Sequence, residues 1–476
     1  KDTFTSALQE GERMREDIYD GTPRAAARDL AAAIDGLIKP KTSKWSMPTI
    51  DDEDLLENEN VKLWLETVGD IAWKIRYNPK AGFIQRSAET DRYLTVFGHG
   101  MLWIQERRDR SGLLYKTYFI RDFGFEEDGD GQINAIALDE YLTPAQAIGR
   151  FGPSNLKKEI LDAASDPKLQ QTKFCFAQIV LPRDDRDAEK LGKRSMAFVT
   201  AVIDVKHESI IGNTEGGFQE FPAAIPRWDT VPGSAFGRSV GMLALADSLT
   251  LQAMGKTLLI GGERAVDPPA LVPSDLFVSP ARTFPGGLSV FDPQVLADTT
   301  LNQPIFPWPV ATQLPIGRDM QYDYRQMVEA AFFKNVMKLP IEGRQMTATE
   351  ILERKEEFVR VLGPTFGRLE PEYLGALATR EFGIMERAGA FPPRPDELEG
   401  MEIKFEFASP IQQARKAIEV AGFSRAMEII APLAAAQPEI YDNFDGDEIT
   451  RDLPDAFGMP TRWLRGKKHV EEIRDQ

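Results

Sequence analysis

The chain of 476 residues holds one cysteine, Cys175, and three histidines. That scarcity excludes a disulfide framework and leaves too few ligands for a cysteine or histidine zinc cluster. Cys175 sits in an apolar run from Phe174 to Leu181, so it is expected as a buried thiol of a reducing compartment. No apolar stretch approaches the roughly 20 residues that a membrane helix needs. Basic charge is also short: 57 Lys and Arg against 74 Asp and Glu give a net charge of -17. A protein that grips nucleic acid by its phosphates needs the opposite balance. DNA is therefore either no partner or one that must not stick. Lys1 to Ser6 show no basic-then-apolar leader, so no secretion signal is expected, and Lys1 in place of methionine leaves a missing start open.

What is present is an ordinary globular composition, 42% hydrophobic and 28% charged, at a length that suggests roughly three domains. The stretch from Phe221 to Met346 stands out. A helical run from Val240 to about Gly261 and a second from near Asp319 to before Pro340 flank some 55 residues rich in Pro, Gly and short β-branched runs. The first helix is apolar on most sides: Leu243, Leu249, Met254 and Leu258 do not share one stripe, and Ala244, Ala246, Ala253 and Gly255 are small. Such a helix must be covered on most sides, and one returning helix cannot do it. Neighbouring copies of the same projection can.

The rest reads as an α+β body. Helices are expected over Arg24–Ile38, Asp54–Tyr77 and Ser87–Phe97, then strands at Met101–Gln105, Leu114–Ile120 and Phe123–Leu138, the last folded at Glu126-Glu-Asp-Gly-Asp-Gly. Thr143-Pro144 starts a short helix, and strands resume at Lys173–Pro182 and Ser195–Val205 around an exposed charged turn. Thr347-Ala-Thr-Glu350 is a capping box opening a helix towards Arg387, which Gly363-Pro364 and Glu370-Pro371 should interrupt or kink. A strand at Met401–Phe407 and a helical C-terminal region close the chain.

Catalytic signals are weak. Gly237-Arg-Ser239-Val-Gly241 has the spacing of a nucleophile elbow, but the residues before it read as loop and the one histidine after it is His469. A capping role for Ser239 is the better reading; a serine hydrolase is the alternative. Met254-Gly-Lys256-Thr257 resembles the end of a P-loop, yet lies in mid-helix with Thr250 where the first glycine belongs. Asp128-Gly-Asp130-Gly-Gln132 lacks the sixth-position glycine and twelfth-position glutamate of a calcium loop. His99 and His207 have no companion at metal-ligand spacing. No enzyme, metal or cofactor is expected.

Several segments together resemble the portal (head-to-tail connector) proteins of short-tailed, podovirus-type bacteriophages. They include Leu37-Ile-Lys-Pro40 with Trp45, Val61-Lys-Leu-Trp64, and Phe97-Gly-His-Gly100. Pro226-Arg-Trp228, Gly233 and Phe236-Gly-Arg-Ser239 are the most specific, followed by Val266-Asp-Pro-Pro-Ala-Leu-Val-Pro273. Met346-Thr-Ala-Thr-Glu350, Pro364, Pro392-Pro393, Asp442-Asn-Phe-Asp445, Gly458-Met-Pro460 and Arg465 continue the pattern. His99 stands where the family would have a small residue.

The resemblance implies a ring-forming portal fold. Its parts would be an α+β wing (1–236), a first stem helix (237–265), a β-rich clip (266–315) and a second stem helix (316–338). A tunnel loop (339–346), the long wing helix and strand (347–408) and a helical crown (409–476) would follow. It further implies a ring, usually of twelve copies, at one vertex of the phage head, assembled in the host cytoplasm with capsid and scaffolding proteins. Terminase would dock on the clip and drive double-stranded DNA through the channel; adaptor and tail proteins would follow. Lys334, Lys338, Glu342 and Arg344 are the candidates for facing DNA, and Phe277, Phe284, Phe291 and Trp308 for clip docking. Leu243, Leu249, Met254 and Leu258 would pack between subunits.

Overall fold

The computed structural model describes residues 18–41, 44–56, 58–187, 192–212, 214–273, 279–280, 282–291, 306–307, 314–337, 360 and 362–407, with scattered positions beyond 421. It divides into two compact units, one of residues 1–29 and 241–335, the other of residues 30–240 and 336–476. An Ala-rich helix, α1 (Thr22–Ile38), comes first.

The larger unit is built on helices and antiparallel sheets. Strand β1 (Met47–Thr49) is followed by α2 (Glu53–Leu56), α3 (Glu59–Arg76) and α4 (Phe83–Phe97). The single helix expected from Asp54 to Tyr77 is therefore two. Asn58 breaks it, because its side chain accepts from the Asn60 amide and caps α3. Strands β2 (Leu102–Glu106), β3 (Leu113–Thr117), β4 (Phe123–Glu127) and β5 (Ile133–Leu142) lie close to their expected places. Asp128 makes the β4–β5 turn, its carboxylate accepting from the amides of Asp130 and Gln132. A capping box at Thr143 and Gln146 opens α5 (Pro144–Phe151). Helix α6 (Lys158–Ser165) has no counterpart in the sequence reading; eight residues give too short a period to stand out.

Strands β6 (Phe174–Pro182), β7 (Phe198–Asp204), β8 (Ser209–Ile210) and β9 (Gly216–Phe218) complete a six-stranded sheet, ordered β4-β5-β6-β7-β8 with β9 also on β7. One face of it packs Phe125, Ile136, Phe176, Val180 and Val202 into two clusters, and α5 and α6 cover part of that face. Strand β10 (Ala223–Ala224) joins β2 and β3 in a second sheet. A short hairpin of β11 (Asp229–Val231) and β12 (Ser234–Arg238) follows. Residues 362–387 form a helix, α11, and β16 (Lys404–Glu406) pairs with β1.

The expected interruption of α11 is found at one of its two prolines. Pro364 lies within α-helical residues 362–369, whereas the α-helical winding is interrupted at Glu370-Pro371 without ending the helix. Pro371 sits in a π-helical turn, Glu370–Gly375, whose wider winding absorbs the missing donor. From this turn and the next, α11 sends charged side chains into the core. Tyr373 donates no charge but receives the Lys39 ammonium, which lies 2.8 Å from both Asp91 oxygens and 2.9 Å from the Tyr373 hydroxyl. Arg76 donates to Glu381 at 2.8 Å, and Tyr115 donates to the other oxygen of the same carboxylate. Burial works against the charge on Arg76, but Glu381 outweighs it and raises the guanidinium further.

The smaller unit holds a helix pair and an insert. The chain enters through α7 (Val240–Leu243) and α8 (Leu245–Val266), passes β13 (Ala270–Pro273), β14 (Leu288–Phe291) and β15 (Phe306–Pro307), and returns in α9 (Leu314–Ala331) and α10 (Lys334–Met337). The insert strands form one sheet ordered β14-β13-β15. Helix α9 starts earlier than expected because Pro315 sits in its first turn, where no donor is needed. Residues Tyr19 and Asp20, distant in the chain from both helices, clamp the pair. Gln252 of α8 accepts from both their amides (2.7 and 3.0 Å), and Arg325 and Gln321 of α9 donate to the Asp20 carboxylate (2.9 and 3.2 Å). Burial pushes that carboxyl up, but hydrogen bonds from Thr22 and Arg325 prevail and hold it below the ordinary value of 3.8. The C-terminal region from 408 on lies largely outside the described residues.

Two outcomes follow from these buried charges. Glu381→Gln strands Arg76 without its counter-charge and should cost about 3–5 kcal/mol in denaturant unfolding, while Arg76→Leu/Glu381→Leu recovers most of that loss. The Asp20 contribution is complete above its unfolded pKa and is lost as pH falls through the lower folded value. Amide exchange in α8 and α9 should therefore quicken below about pH 4. Asp20→Asn should show the quickening already at neutral pH, a loss of about 1–3 kcal/mol, with a flatter acid response.

Candidate functional site

The residues leading into α7 are anchored backbone to backbone. Gly98, at φ 90, meets Gly237 so closely that a Cβ on Gly98 would lie 2.4 Å from the Gly237 carbonyl oxygen, and one on Gly237 2.1 Å from that of Gly98. Only glycine fits at either position. The Trp228 amide donates to the Gly98 carbonyl at 2.8 Å, and the Ser239 hydroxyl to that of Val96 at 2.7 Å. His99 lies among the rings of Phe123, Phe125 and Phe236; burial lowers its pKa to about 4, so it is neutral. Arg227 donates to Glu372 from the π-turn (2.6 and 3.1 Å), to Glu127, and to the carbonyls of Ala235 (3.1 Å) and Gly131 (3.3 Å). The most specific motif of the sequence is thus a root for the helix that follows it.

This root also disposes of the elbow. The residues before Ser239 form strand β12, not the expected loop, yet Ser239 is buried with its hydroxyl committed to Val96. Lys256 and Thr257 lie inside α8, where the Thr257 hydroxyl donates to the Ala253 carbonyl, so their backbone cradles no phosphate. His469 lies outside the described residues. His207 bridges two carboxylates, Asp204 at 2.8 Å and Glu159 at 3.2 Å. Among the described residues no group of three or more His, Cys, Asp or Glu could hold a metal ion, and no helix is long and apolar enough to cross a membrane.

Helices α8 and α9 each carry two apolar faces. One joins them: Leu251 is fully buried, Gly255 lies against Tyr19 and Gln321, and Leu258 reaches Gly317, where a Cβ would come within 2.7 Å of it. Val328 is buried on the α9 side. The other face is bare. At about 100° per residue, Leu245, Leu249 and Ile260 fall within roughly 60° of one another, more than 100° from Leu251. All three are exposed, as are Met242 and Leu243 (77%) in α7. In α9 the residues Ile316, Met320 and Met327 make a matching stripe, and they too are exposed. A lone subunit leaves both stripes in water, at odds with the way soluble chains dispose of large apolar side chains.

Of the four expected packing residues, Leu243 and Leu249 are exposed and Met254 and Leu258 are half-buried, Leu258 on α9 of its own chain. Lys334 donates to Glu329 at 2.7 Å, with Asp29 at 3.9 Å, so its charge is met within the subunit. Lys338, Glu342 and Arg344 lie outside the described residues, as do Phe277 and Trp308. Phe284 is exposed in the turn before β14 and Phe291 is half-buried at the strand's end.

A family model described as "Bacteriophage head to tail connecting protein" matches residues 1–464. The chain is 26% identical to the "Probable portal protein" of Bordetella phage BPP-1 over 481 aligned residues, covering 99% of this chain and 84% of that one. It is also 26% identical to the "Portal protein" of Salmonella phage epsilon15 over 476 residues, with the same coverage. Among solved structures, a chain of "Neck of empty GTA particle computed with C6 symmetry" aligns with a TM-score of 0.37 at 10% identity, covering 92% of this chain and 89% of that one. The chain belongs to the bacteriophage head to tail connecting protein family.

Proposed function

We propose that this portal protein works as one subunit of a closed ring, of twelve copies as the family resemblance implies, set at one vertex of the phage head. The observation that carries this reading is the pair of bare stripes. A ring is a head-to-tail assembly in which each copy offers two different surfaces. The α8 stripe of one copy, Leu245, Leu249 and Ile260, packs on the α9 stripe of the next, Ile316, Met320 and Met327. Each bare helix face then finds the cover that its own chain does not supply.

The ring's axis is a channel for double-stranded DNA. Terminase docks on the insert during packaging, with Phe284 and Phe291, and beyond the described residues Phe277 and Trp308, as its contacts. Adaptor and tail proteins take the same place afterwards. Twelve copies carry about -200 charges in sum, a field that repels a polyanion and keeps it sliding. Lys338, Glu342 and Arg344 are the residues proposed to meet the phosphates; Lys334 is the weaker candidate because Glu329 already neutralises it. The chain's part is mechanical and not catalytic, and the ring assembles in the host cytoplasm.

Mass measurement and negative-stain imaging of the purified chain test the ring directly: annular particles with a central hole are expected, and a strictly monomeric species at high concentration overturns the reading. Leu249→Glu puts a charge in the α8 stripe where it faces water in the lone chain. It should leave the melting of the separated subunit within about 1 kcal/mol of wild type. Each subunit contact should weaken by about 1.5–3 kcal/mol, roughly 10- to 100-fold, so rings disappear at concentrations where the wild type is fully assembled.

A further inference from the structure

Among the described residues, the hydrophobic clusters lie on one face of the six-stranded sheet. An antiparallel sheet with one wet face should alternate apolar and polar residues. Strand β6 instead reads Phe-Cys-Phe-Ala-Gln-Ile-Val-Leu-Pro and β7 reads Phe-Val-Thr-Ala-Val-Ile-Asp, apolar on both sides. The pairing register fixes which residues share the open face. Asp139, Ala177, Ile203 and Ile210 stand in one row across β5, β6, β7 and β8, and Tyr141 stands beside Cys175 in the next. None of these six is buried, and Ile210 is 67% exposed. Cys175, expected as a buried thiol, is only half covered because it points to this face.

Three observations narrow what covers it. Its β6–β8 part, from Cys175 and Ala177 to Ile203 and Ile210, carries no charge in a chain that is 28% charged, which marks a lasting contact, since surfaces that partners leave and rejoin stay polar. Carboxylates stand only at its β4–β5 edge, where Glu126 shares the face and Asp139 is pushed up by burial and by Asp122, a poor state for a surface meant to stay in water. Its area is the third. About a dozen side chains at sheet spacing span on the order of 400 Å², half of the roughly 800 Å² per partner that a free-standing complex needs. A partner must therefore already be held in place by other contacts.

We propose that the open face of this sheet is a second interface between neighbouring copies of the chain, closed only when the ring forms. This rests on the ring reading above, in which the helix stripes hold adjacent copies together and supply the missing area. The small residues of the face, Ala137, Ala177 and Ala201, let the adjacent subunit approach the strands closely.

The chain's one cysteine reports on this face, so no new residue is needed. Wild-type protein is first sized by mass measurement; a species that stays monomeric overturns the ring reading itself, before any labelling. Assembled rings and the ring-deficient Leu249→Glu chain are then treated with a maleimide. At least tenfold slower labelling of Cys175 in rings is the expected result. Equal rates in intact rings overturn the proposal while leaving the ring in place. Protection that arises only after capsid or scaffolding protein is added overturns it too, and assigns the face to the shell. As a second measure, Ile203→Asp should lower the ring fraction at fixed concentration at least tenfold with the far-ultraviolet helical signal unchanged; full assembly of that variant contradicts the proposal.

Discussion

Apolar surface left exposed among the described residues is the constraint behind most of this structure. Helix α8 needs neighbours on two sides, and its own chain fills one with Tyr19 and α9. Burying a single leucine contributes roughly 1.5–3 kcal/mol, so leaving Leu243, Leu245 and Leu249 in water forgoes a sum comparable to the net stability of a small domain. In the ring proposed above, the neighbouring copy covers that surface. The sheet face around Ile203 tells the same story in another unit of the chain, with β-strands in place of helices.

The inside of the larger unit is built in the opposite way. Where the exterior is left apolar, the interior takes in charge: Lys39 with Asp91, Arg76 with Glu381, and Arg227 with Glu372 and Glu127. Such pairs add little to stability compared with well-packed apolar residues, but each fixes a geometry, because a displaced partner leaves a bare buried charge. Two of the three are reached from α11, and Tyr373 and Glu372 are delivered by consecutive residues of its π-turn. A regular α-helix turns each successive residue by about 100°. The wider π-turn changes that phase, so the interruption expected at Pro371 serves the placement of these two side chains.

The legible parts of the sequence were those with long periods or hard local chemistry. The helix pair, its Pro- and Gly-rich insert, the hairpin at Asp128 and the cap at Thr143 all announce themselves within a few residues. The family was legible too, through the order of weak motifs. What stayed hidden depends on contacts distant in the chain. Nothing in Tyr19-Asp20 hints at Gln252 or Arg325, more than two hundred residues away. Cys175 was assigned to a core because alternation in Phe174–Leu181 cannot say which face of a strand is covered, and both faces are apolar. The loop expected before Ser239 is a strand because a two-stranded hairpin needs few β-formers when Gly233 makes its turn at φ 85.

These two designs, apolar outside and ionic inside, fit one mechanical demand. In the ring proposed here, twelve copies must each turn by about 30° for the last to meet the first. A subunit that flexes by a few degrees closes into rings of mixed size or not at all. Apolar stripes supply attraction but hardly any direction, since dispersion and water release depend little on angle. Direction must come from the bodies that carry the stripes. Within the larger unit, the residues before α7 show how strictly such a body can be built. Two glycines touch backbone to backbone, five of the hydrogen bonds from Arg227 converge on two carboxylates and two carbonyls, and a neutral His99 is packed among three phenylalanine rings. Packing of this kind leaves the residues before α7 one conformation within their own unit.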